Sequence, residues 1–99
     1  MKTRVELDQR VADFIRSLAP GPRRQLRAAL RDLEQDRGDL APLESELAGY
    51  WRLRVGNYRV VIRFYIAGRQ RVARCVFAER RSVVYALLAE LLAGRPPTD

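Results

Sequence analysis

The chain has 99 residues, 47% of them hydrophobic, so it is long enough to bury one core, and we expect a single domain over residues 1–99. A single cysteine, Cys75, excludes an internal disulfide, and the absence of histidine excludes a Cys/His zinc site. The net charge of +7, in which every basic residue except Lys2 is arginine, predicts a polyanionic partner such as nucleic acid.

The N-terminal third predicts a strand followed by two helices. Lys2–Leu7 alternates as a short strand, and Asp8 is placed to cap a first helix whose apolar residues recur at helical spacing. Pro20-Gly21-Pro22 ends that helix and starts a second, and Gly38 stands near its end. Residues 1–13 contain no apolar run of the signal-peptide kind, so we expect a cytoplasmic protein.

The middle of the chain predicts a loop and then a sheet. Asp39–Ala48 contains a proline and shows no period, so we expect a connecting loop. Tyr50–Ala78 is rich in β-branched and aromatic residues and predicts three strands. Val55-Gly56-Asn57-Tyr58 is typical of a hairpin with a two-residue turn, and residues 67–70 predict a second, longer turn.

A last helix is predicted over Val83–Ala93, with Ser82 as its cap and Gly94 and Pro96-Pro97 as its stop signals. Glu90 is almost its only charged residue, so the helix is either part of the core or covered by a partner. The element order is then β-α-α-β-β-β-α. This order indicates an α+β fold in which an N-terminal strand and a helical hairpin pack on a small, mainly antiparallel sheet.

A turn at Gly56–Asn57 fixes the register of the hairpin, so that Arg54 faces Arg59. Because side chains alternate along a strand, one face of the hairpin is apolar and the other is basic. The basic face carries Tyr50, Arg52, Arg54, Arg59 and Arg63. Like charges directly opposite each other are destabilising, so the Arg54–Arg59 pair predicts a bound anion between them. Residues 50–85 contain nine arginines and one acid, Glu79, and thus hold the whole excess of positive charge.

Aromatic residues favour nucleic acid as the anion over the alternative of a merely solvated, arginine-rich face. Tyr50, Tyr65 and Tyr85 lie among the arginines, where they could stack on bases. Arg80-Arg81 precede the predicted last helix, whose exposed N–H groups add to the attraction for phosphate. The predicted RNA-binding residues are Tyr50, Arg52, Arg63 and Arg80.

Two motifs in combination resemble a known family. Leu47-x-Gly49-Tyr50-Trp51-Arg52-x-Arg54-Val55-Gly56-x-Tyr58-Arg59-Val60-Val61 and Arg80-Arg81-x3-Tyr85 are similar to motifs of the RelE/ParE superfamily of bacterial toxins. The resemblance spans nearly the whole chain and implies a RelE-like fold. It also implies a type II toxin that a cognate antitoxin protein neutralises in a toxin–antitoxin hetero-oligomer. For the RelE branch it implies ribosome-dependent cleavage of mRNA and inhibition of translation, with no metal or other cofactor.

For RelE-like nucleases the resemblance also implies roles for single residues. The catalytic residues that it implies are Arg54, Arg59, Arg81 and Tyr85. The ribose 2′-hydroxyl would attack the adjacent phosphate, while Arg59 and Arg81 stabilise the charge on the phosphate oxygens. Arginine is always protonated and cannot act as a general base, so Tyr85 or Glu79 would take the proton. A loop acid present in some relatives is replaced here by Ala41, and a histidine of other relatives is absent.

Two other functions stay open on the sequence alone. A ParE-like inhibitor of DNA gyrase would share the fold without the nuclease residues, and the retained arginines together with Tyr85 favour the nuclease over it. A family member that acts only by binding other proteins would fit the missing histidine and the arginines at positions 52 and 54, where some relatives have lysine.

Overall fold

The computed structural model describes residues 2–94 as one five-stranded sheet with helices on both faces. The strands are β1 (Thr3–Leu7), β2 (Asp39–Pro42), β3 (Trp51–Val55), β4 (Tyr58–Ala67) and β5 (Gln70–Arg80). The helices are α1 (Gln9–Ser17), α2 (Pro20–Glu34) and α3 (Val84–Leu92). The strand order is β1-β5-β4-β3-β2, with β1 parallel to β5 and each other pair antiparallel. This confirms the predicted α+β fold with a mainly antiparallel sheet.

The main core lies between the helical hairpin and the face of the sheet beneath it, which we call the inner face. Apolar residues at helical spacing put Val11 and Ile15 of α1 and Leu26 and Leu30 of α2 toward the sheet. They pack against residues of three strands, namely Leu53, Val55, Val60, Ile62, Ala73, Cys75 and Ala78. These residues alternate along each strand except between Cys75 and Ala78, where the register of β5 on β4 shifts by one residue. The opposite face, which we call the outer face, therefore carries the residues between these positions.

The hairpin of β3 and β4 has the predicted register. Val55 faces Tyr58 and Arg54 faces Arg59 across the two-residue turn. Gly56 has a φ of 57°, a left-handed value that glycine adopts without the strain a Cβ would cause. Arg54 and Arg59 consequently lie on the outer face, as predicted.

The prediction that Asp39–Ala48 is a loop was wrong for its first four residues. Asp39–Pro42 forms the edge strand β2, with Asp39 opposite Arg54. Leu40 packs against the main core, which anchors this short segment. Pro42 has no backbone N–H to donate, but an edge strand tolerates this because one of its sides has no neighbouring strand to bond. Only a short 3-10 turn, Ser45–Leu47, follows before β3.

Two predicted helix caps were also wrong. Asp8 precedes α1, but its side chain forms no capping hydrogen bond, and its Oδ1 lies 2.6 Å from Nη2 of Arg74 instead. Because α3 begins at Val84 with Val83 in the N-cap position, Ser82 does not cap it. Arg80 therefore ends β5 and Arg81 lies in the following turn, so neither arginine stands directly at a helix N-terminus.

α3 packs on the outer face, where Val84 and Leu88 bury Val61 of β4. Half-buried residues surround this cluster, among them Tyr50 and Tyr85. The side of the helix that faces the sheet is thus core, which was one of the two interpretations left open. No helix among residues 2–94 is long and apolar enough to cross a bilayer.

The remaining chain reversals follow the sequence signals with one change. Pro20 is the first residue of α2, a position where the missing N–H costs no hydrogen bond. The second turn contains only Gly68 and Arg69 between β4 and β5, so it is shorter than predicted. The Pro96-Pro97 stop signal lies outside the described residues.

Leu26 is completely buried and tests the assignment of the main core. We expect Leu26→Ala to lower the free energy of unfolding by about 3 kcal/mol, because it removes buried methyl groups and leaves a cavity. Leu92→Ala, at a position 47% exposed, is the control and should cost less than about 1 kcal/mol. Urea denaturation followed by circular dichroism measures both, and equal losses would contradict the assignment.

Burial raises the pKa of the Cys75 thiol to about 12, and the negative charge of Asp8 adds to the rise. We expect this thiol to resist a disulfide reagent at pH 8 in the folded protein and to react once urea unfolds the chain. Because its pKa is higher in the folded state, the thiol contributes stability below about pH 8.5 that is lost as the pH rises toward 12. Rapid labelling of the native protein would show that Cys75 is not buried.

Candidate nucleic-acid interface

Acids from the N-terminal half neutralise the arginines near β1. Arg74 lies 3.2 Å from Glu6 and 2.6 Å from Asp8, and the charge of Asp8 is the main reason that the pKa of Arg74 is raised. Arg71 lies 3.7 Å from Asp36. This part of the sheet is therefore close to electrical balance, despite its arginine content.

A row of charged residues crosses the outer face beside the hairpin turn. In order across β2, β3, β4 and β5, the row consists of Asp39, Arg54, Arg59 and Glu79. The like-charge pair in the middle of the row is the one predicted from the hairpin turn, and an acid stands at each end of the row. Oδ2 of Asp39 lies 3.9 Å from Nε of Arg54, and its Oδ1 lies 3.4 Å from Nη1 of Arg52. A carboxylate of the protein itself thus contacts Arg54, one of the two arginines between which an anion is predicted, from the side of β2.

Arg59 is buried, with 8% of its surface exposed, and its guanidinium folds onto the hairpin turn. Its Nη1 donates to the carbonyl oxygens of Gly56 at 2.9 Å and of Tyr58 at 2.8 Å. No carboxylate among residues 2–94 forms an ion pair with it. A buried charge is costly unless it is hydrogen-bonded, so these carbonyls stabilise the arginine and the arginine in return stabilises the turn. This structural role of Arg59 was not predicted from the sequence.

Arg80 and Arg81 line a pocket of about 260 Å³ next to the turn. Its other walls are Asn57, Tyr58 and Ser82. The backbone N–H of Arg81 donates to the carbonyl oxygen of Asn57 at 2.8 Å, which ties the end of β5 to the turn. Within the described part of the chain, neither guanidinium is paired with an acid. The pocket is thus a place where two arginines are open to an external anion.

α3 divides the outer face, which the register of the hairpin predicts to be basic. On β4, Val61 stands between Arg59 and Arg63, and α3 covers it. Arg59 and Arg63 are four residues apart, about 13 Å along the strand. Tyr50 is half-buried beside α3, and the guanidinium carbon of Arg63 lies 5.0 Å from the centre of its ring. The helix position explains the difference, because apolar spacing alone does not show which face of a sheet a helix covers.

The other predicted aromatic and acidic residues lie in three different environments. Tyr85, the second residue of α3, packs half-buried against the apolar cluster between that helix and the sheet, and it is not among the residues that line the pocket. The hydroxyl of Tyr65 donates to Glu6 at 2.7 Å, which is the first cause of the lowered pKa of that carboxyl. Glu79 accepts a hydrogen bond at 2.9 Å from the backbone N–H of Arg80, so it lies at the edge of the arginine pair.

Three neighbours of the arginines were not predicted from the sequence as part of the interface, namely Asp39, Asn57 and Ser82. A signal for Asp39 was available, because pairing Leu40 with Leu53 places the acid opposite Arg54. For Asn57 and Ser82 the contact depends on where β5 ends, and no local pattern shows that position.

The two arginines of the like-charge pair should differ sharply in their effect on stability. We expect Arg59→Ala to lower the free energy of unfolding by about 2 kcal/mol, because it removes two hydrogen bonds and a buried side-chain stem. Arg54→Ala is the control: 57% of that side chain is exposed, and the change should be within about 0.5 kcal/mol. Urea denaturation measures both, and a small effect of Arg59→Ala would show that the turn does not need it.

Comparison with known proteins gives matches in structure only. No protein-family model and no curated protein sequence matches the chain. Its structure is similar to the toxin–antitoxin complex RelBE2 of Mycobacterium tuberculosis, with a TM-score of 0.66 and 22% identity over 82% of this chain and 100% of that chain. It is similar to the YoeB/ParE toxin of Agrobacterium tumefaciens, with a TM-score of 0.64 and 16% identity over 80% and 99% of the two chains.

An archaeal structure gives the same result. The RelE–RelB complex of Pyrococcus horikoshii OT3 aligns with a TM-score of 0.61 and 24% identity over 82% of this chain and 97% of that chain. These similar chains match almost over their entire length, so the likeness extends to the whole architecture and not to the hairpin alone. The protein therefore has the fold of the RelE/ParE superfamily of toxins.

Proposed function

We propose that the protein is the toxin of a type II toxin–antitoxin system and acts as a ribosome-dependent mRNA endoribonuclease that inhibits translation in the cytoplasm. The observation that carries the proposal is the pocket in which Arg80 and Arg81 meet Asn57 with no acid paired to either guanidinium among residues 2–94. On a RelE-like fold, such a pocket suits a phosphate of mRNA. A cognate antitoxin protein would hold the toxin inactive in a hetero-oligomer.

The proposed chemistry needs positive charge where a phosphate gains electron density. When the ribose 2′-hydroxyl attacks the adjacent phosphate, the bond from phosphorus to the 5′-oxygen of the next nucleotide breaks. The products are a 2′,3′-cyclic phosphate and a 5′-hydroxyl, whose oxygen takes up a proton. During this step negative charge collects on the phosphate oxygens, and guanidinium groups stabilise it. Arg81 would supply this charge from the pocket. Arg59 would add to it through donors other than Nη1, which the turn carbonyls engage. Neither a metal nor another cofactor is part of the proposal.

Geometry favours Glu79 over Tyr85 as the group that takes the proton of the 2′-hydroxyl. Glu79 stands opposite Arg59 in the charged row, and one of its oxygens is held by the N–H of Arg80. Tyr85, on α3, instead packs against the apolar cluster between that helix and the sheet. An arginine cannot serve, because it stays protonated at physiological pH.

A ParE-like inhibitor of DNA gyrase is the second candidate function. The observation that favours it is that two residues matched to catalytic positions have structural roles here. Arg59 stabilises the hairpin turn, and Tyr85 helps to pack α3 on the sheet. A relative without nuclease activity would retain both residues for these contacts.

The nuclease proposal is tested by translating a defined mRNA in a purified ribosome system and mapping 5′ ends by primer extension. We expect cuts in the A site with the wild-type protein, and we expect Arg81→Ala to lower the cleavage rate about 100-fold or more. Arg24→Ala is the matched control, because Arg24 is an exposed arginine on α2, on the other side of the sheet. It should cleave as the wild type does.

A circular dichroism spectrum of Arg81→Ala that matches the wild type would show that the loss of activity is not a loss of folding. Intact mRNA with the wild-type protein would refute the nuclease and lead to a gyrase supercoiling assay, in which inhibition would support the second candidate. Equal cleavage by Arg81→Ala and the wild type would refute the role of the pocket.

A further inference from the structure

We propose that Asp39 is an internal competitor for phosphate at Arg52 and Arg54, and that it thereby sets the affinity of the outer face for RNA. This inference rests on the proposed function in taking RNA as the ligand. It concerns a residue that stands outside the predicted site and that the edge strand β2 brings to it.

One aspartate touches both arginines. Its Oδ1 lies 3.4 Å from Nη1 of Arg52, and its Oδ2 lies 3.9 Å from Nε of Arg54. The carbonyl oxygen of Asp39 also accepts a hydrogen bond of 3.2 Å from Nη1 of Arg52. The register of β2 on β3 produces this arrangement, because it places Asp39 directly opposite Arg54 on the outer face.

The contact is loose enough for another anion to displace it. Strong hydrogen bonds between guanidinium and carboxylate are about 2.7–2.9 Å long, so both distances exceed the optimum. The side chains of Asp39 and Arg54 are 56% and 57% exposed, and exposed ion pairs stabilise a protein only weakly. A phosphate presents the same kind of oxygen atoms with more charge, and guanidinium binds it in the same planar manner.

Arg80 and Arg81 differ from Arg52 and Arg54 in how easily a phosphate can reach them. Arg80 and Arg81 face the pocket without an acid partner in residues 2–94, so a phosphate can bind there directly. At Arg52 and Arg54 a phosphate must first displace the aspartate. Asp39 thus weakens the contact of RNA with β3 while the pocket beside the turn stays open.

The test measures binding of a 2′-O-methyl RNA oligonucleotide, which lacks the attacking hydroxyl and stays intact, by fluorescence anisotropy at several salt concentrations. The proteins are the wild type, Asp39→Asn and Asp13→Asn. Asp13 is the matched control, because it is an exposed aspartate on α1 that pairs with an exposed arginine, Arg16. Each of the two Asp→Asn changes removes one negative charge. A difference in RNA affinity between these variants therefore reports on the location of the removed carboxylate.

We expect Asp39→Asn to bind the RNA about fivefold more tightly than Asp13→Asn. When the logarithm of the affinity is plotted against the logarithm of the salt concentration, the slope for Asp39→Asn should be steeper than that for Asp13→Asn by about one. The reason is that one more phosphate contact releases one more counterion. Asp39→Glu keeps the carboxylate and should bind as the wild type does. Equal thermal midpoints would show that the Asp39 variants are folded, and Asp39→Ser should repeat the effect of Asp39→Asn.

Equal affinities of Asp39→Asn and Asp13→Asn would overturn the inference, as would weaker binding by Asp39→Asn. Absence of binding by all the proteins would overturn it too, since removal of a competitor must expose a site. Failure of the nuclease proposal would be seen separately, as intact mRNA in the ribosome system together with tighter binding by Asp39→Asn.

Discussion

The two-residue turn at Gly56–Asn57 is the constraint on which the rest of the site depends. It sets the register of β3 on β4, and a slip of one residue would move every side chain of a strand to the other face. The turn also has two further partners. The carbonyl oxygen of Gly56 binds Arg59, and that of Asn57 binds the N–H of Arg81. One short segment therefore determines which side chains of the hairpin lie in the core and which lie on the basic face, and it also positions the pocket.

The arginines that give the chain its net charge of +7 differ in how far nearby carboxylates neutralise them. Carboxylates from β1 and the residue after it neutralise Arg74, and Asp39 of β2 partly neutralises Arg52 and Arg54. The pair at the end of β5, Arg80 and Arg81, has no such partner within the described part of the chain. Because exposed charges act over about 10 Å at ordinary salt, an approaching polyanion is attracted most strongly to this end of the sheet.

Local signals were sufficient for the hairpin and for the two N-terminal helices. Gly56-Asn57 specifies a turn by its backbone preferences, and the spacing of apolar residues such as Val11 and Leu26 specifies a helix face. The features that were predicted wrongly depend on distant partners. Asp8 is attracted to Arg74, 66 positions later, and so does not cap α1. Four residues that include Pro42 are too few to show the alternation of a strand.

The division of the outer face by α3 was not predicted either, because it too depends on contacts between distant parts of the chain. The apolar composition of α3 shows that the helix must be covered, but the face that covers it follows from the path of the chain after Arg81. The predicted site residues fall into separate groups. On the outer face these are a pair held by Asp39, a buried arginine at the turn, and Arg63 on Tyr50. The open pair lies beside the turn, with Arg80 opposite Tyr58 and so on the inner face. The roles proposed for them in RNA cleavage follow from these environments as well as from residue type.

The central claim is that RNA binds the hairpin end of the sheet, at Arg80 and Arg81 beside the turn and at Arg54 on the outer face. Nuclear magnetic resonance of the arginine Nε–Hε groups tests this claim most directly. Titration with an uncleavable RNA oligonucleotide should shift the signals of Arg54, Arg80 and Arg81. Signals of the arginines on α1 and α2, such as Arg24, should stay in place. Shifts confined to the helical arginines, with the hairpin end unchanged, would contradict the account.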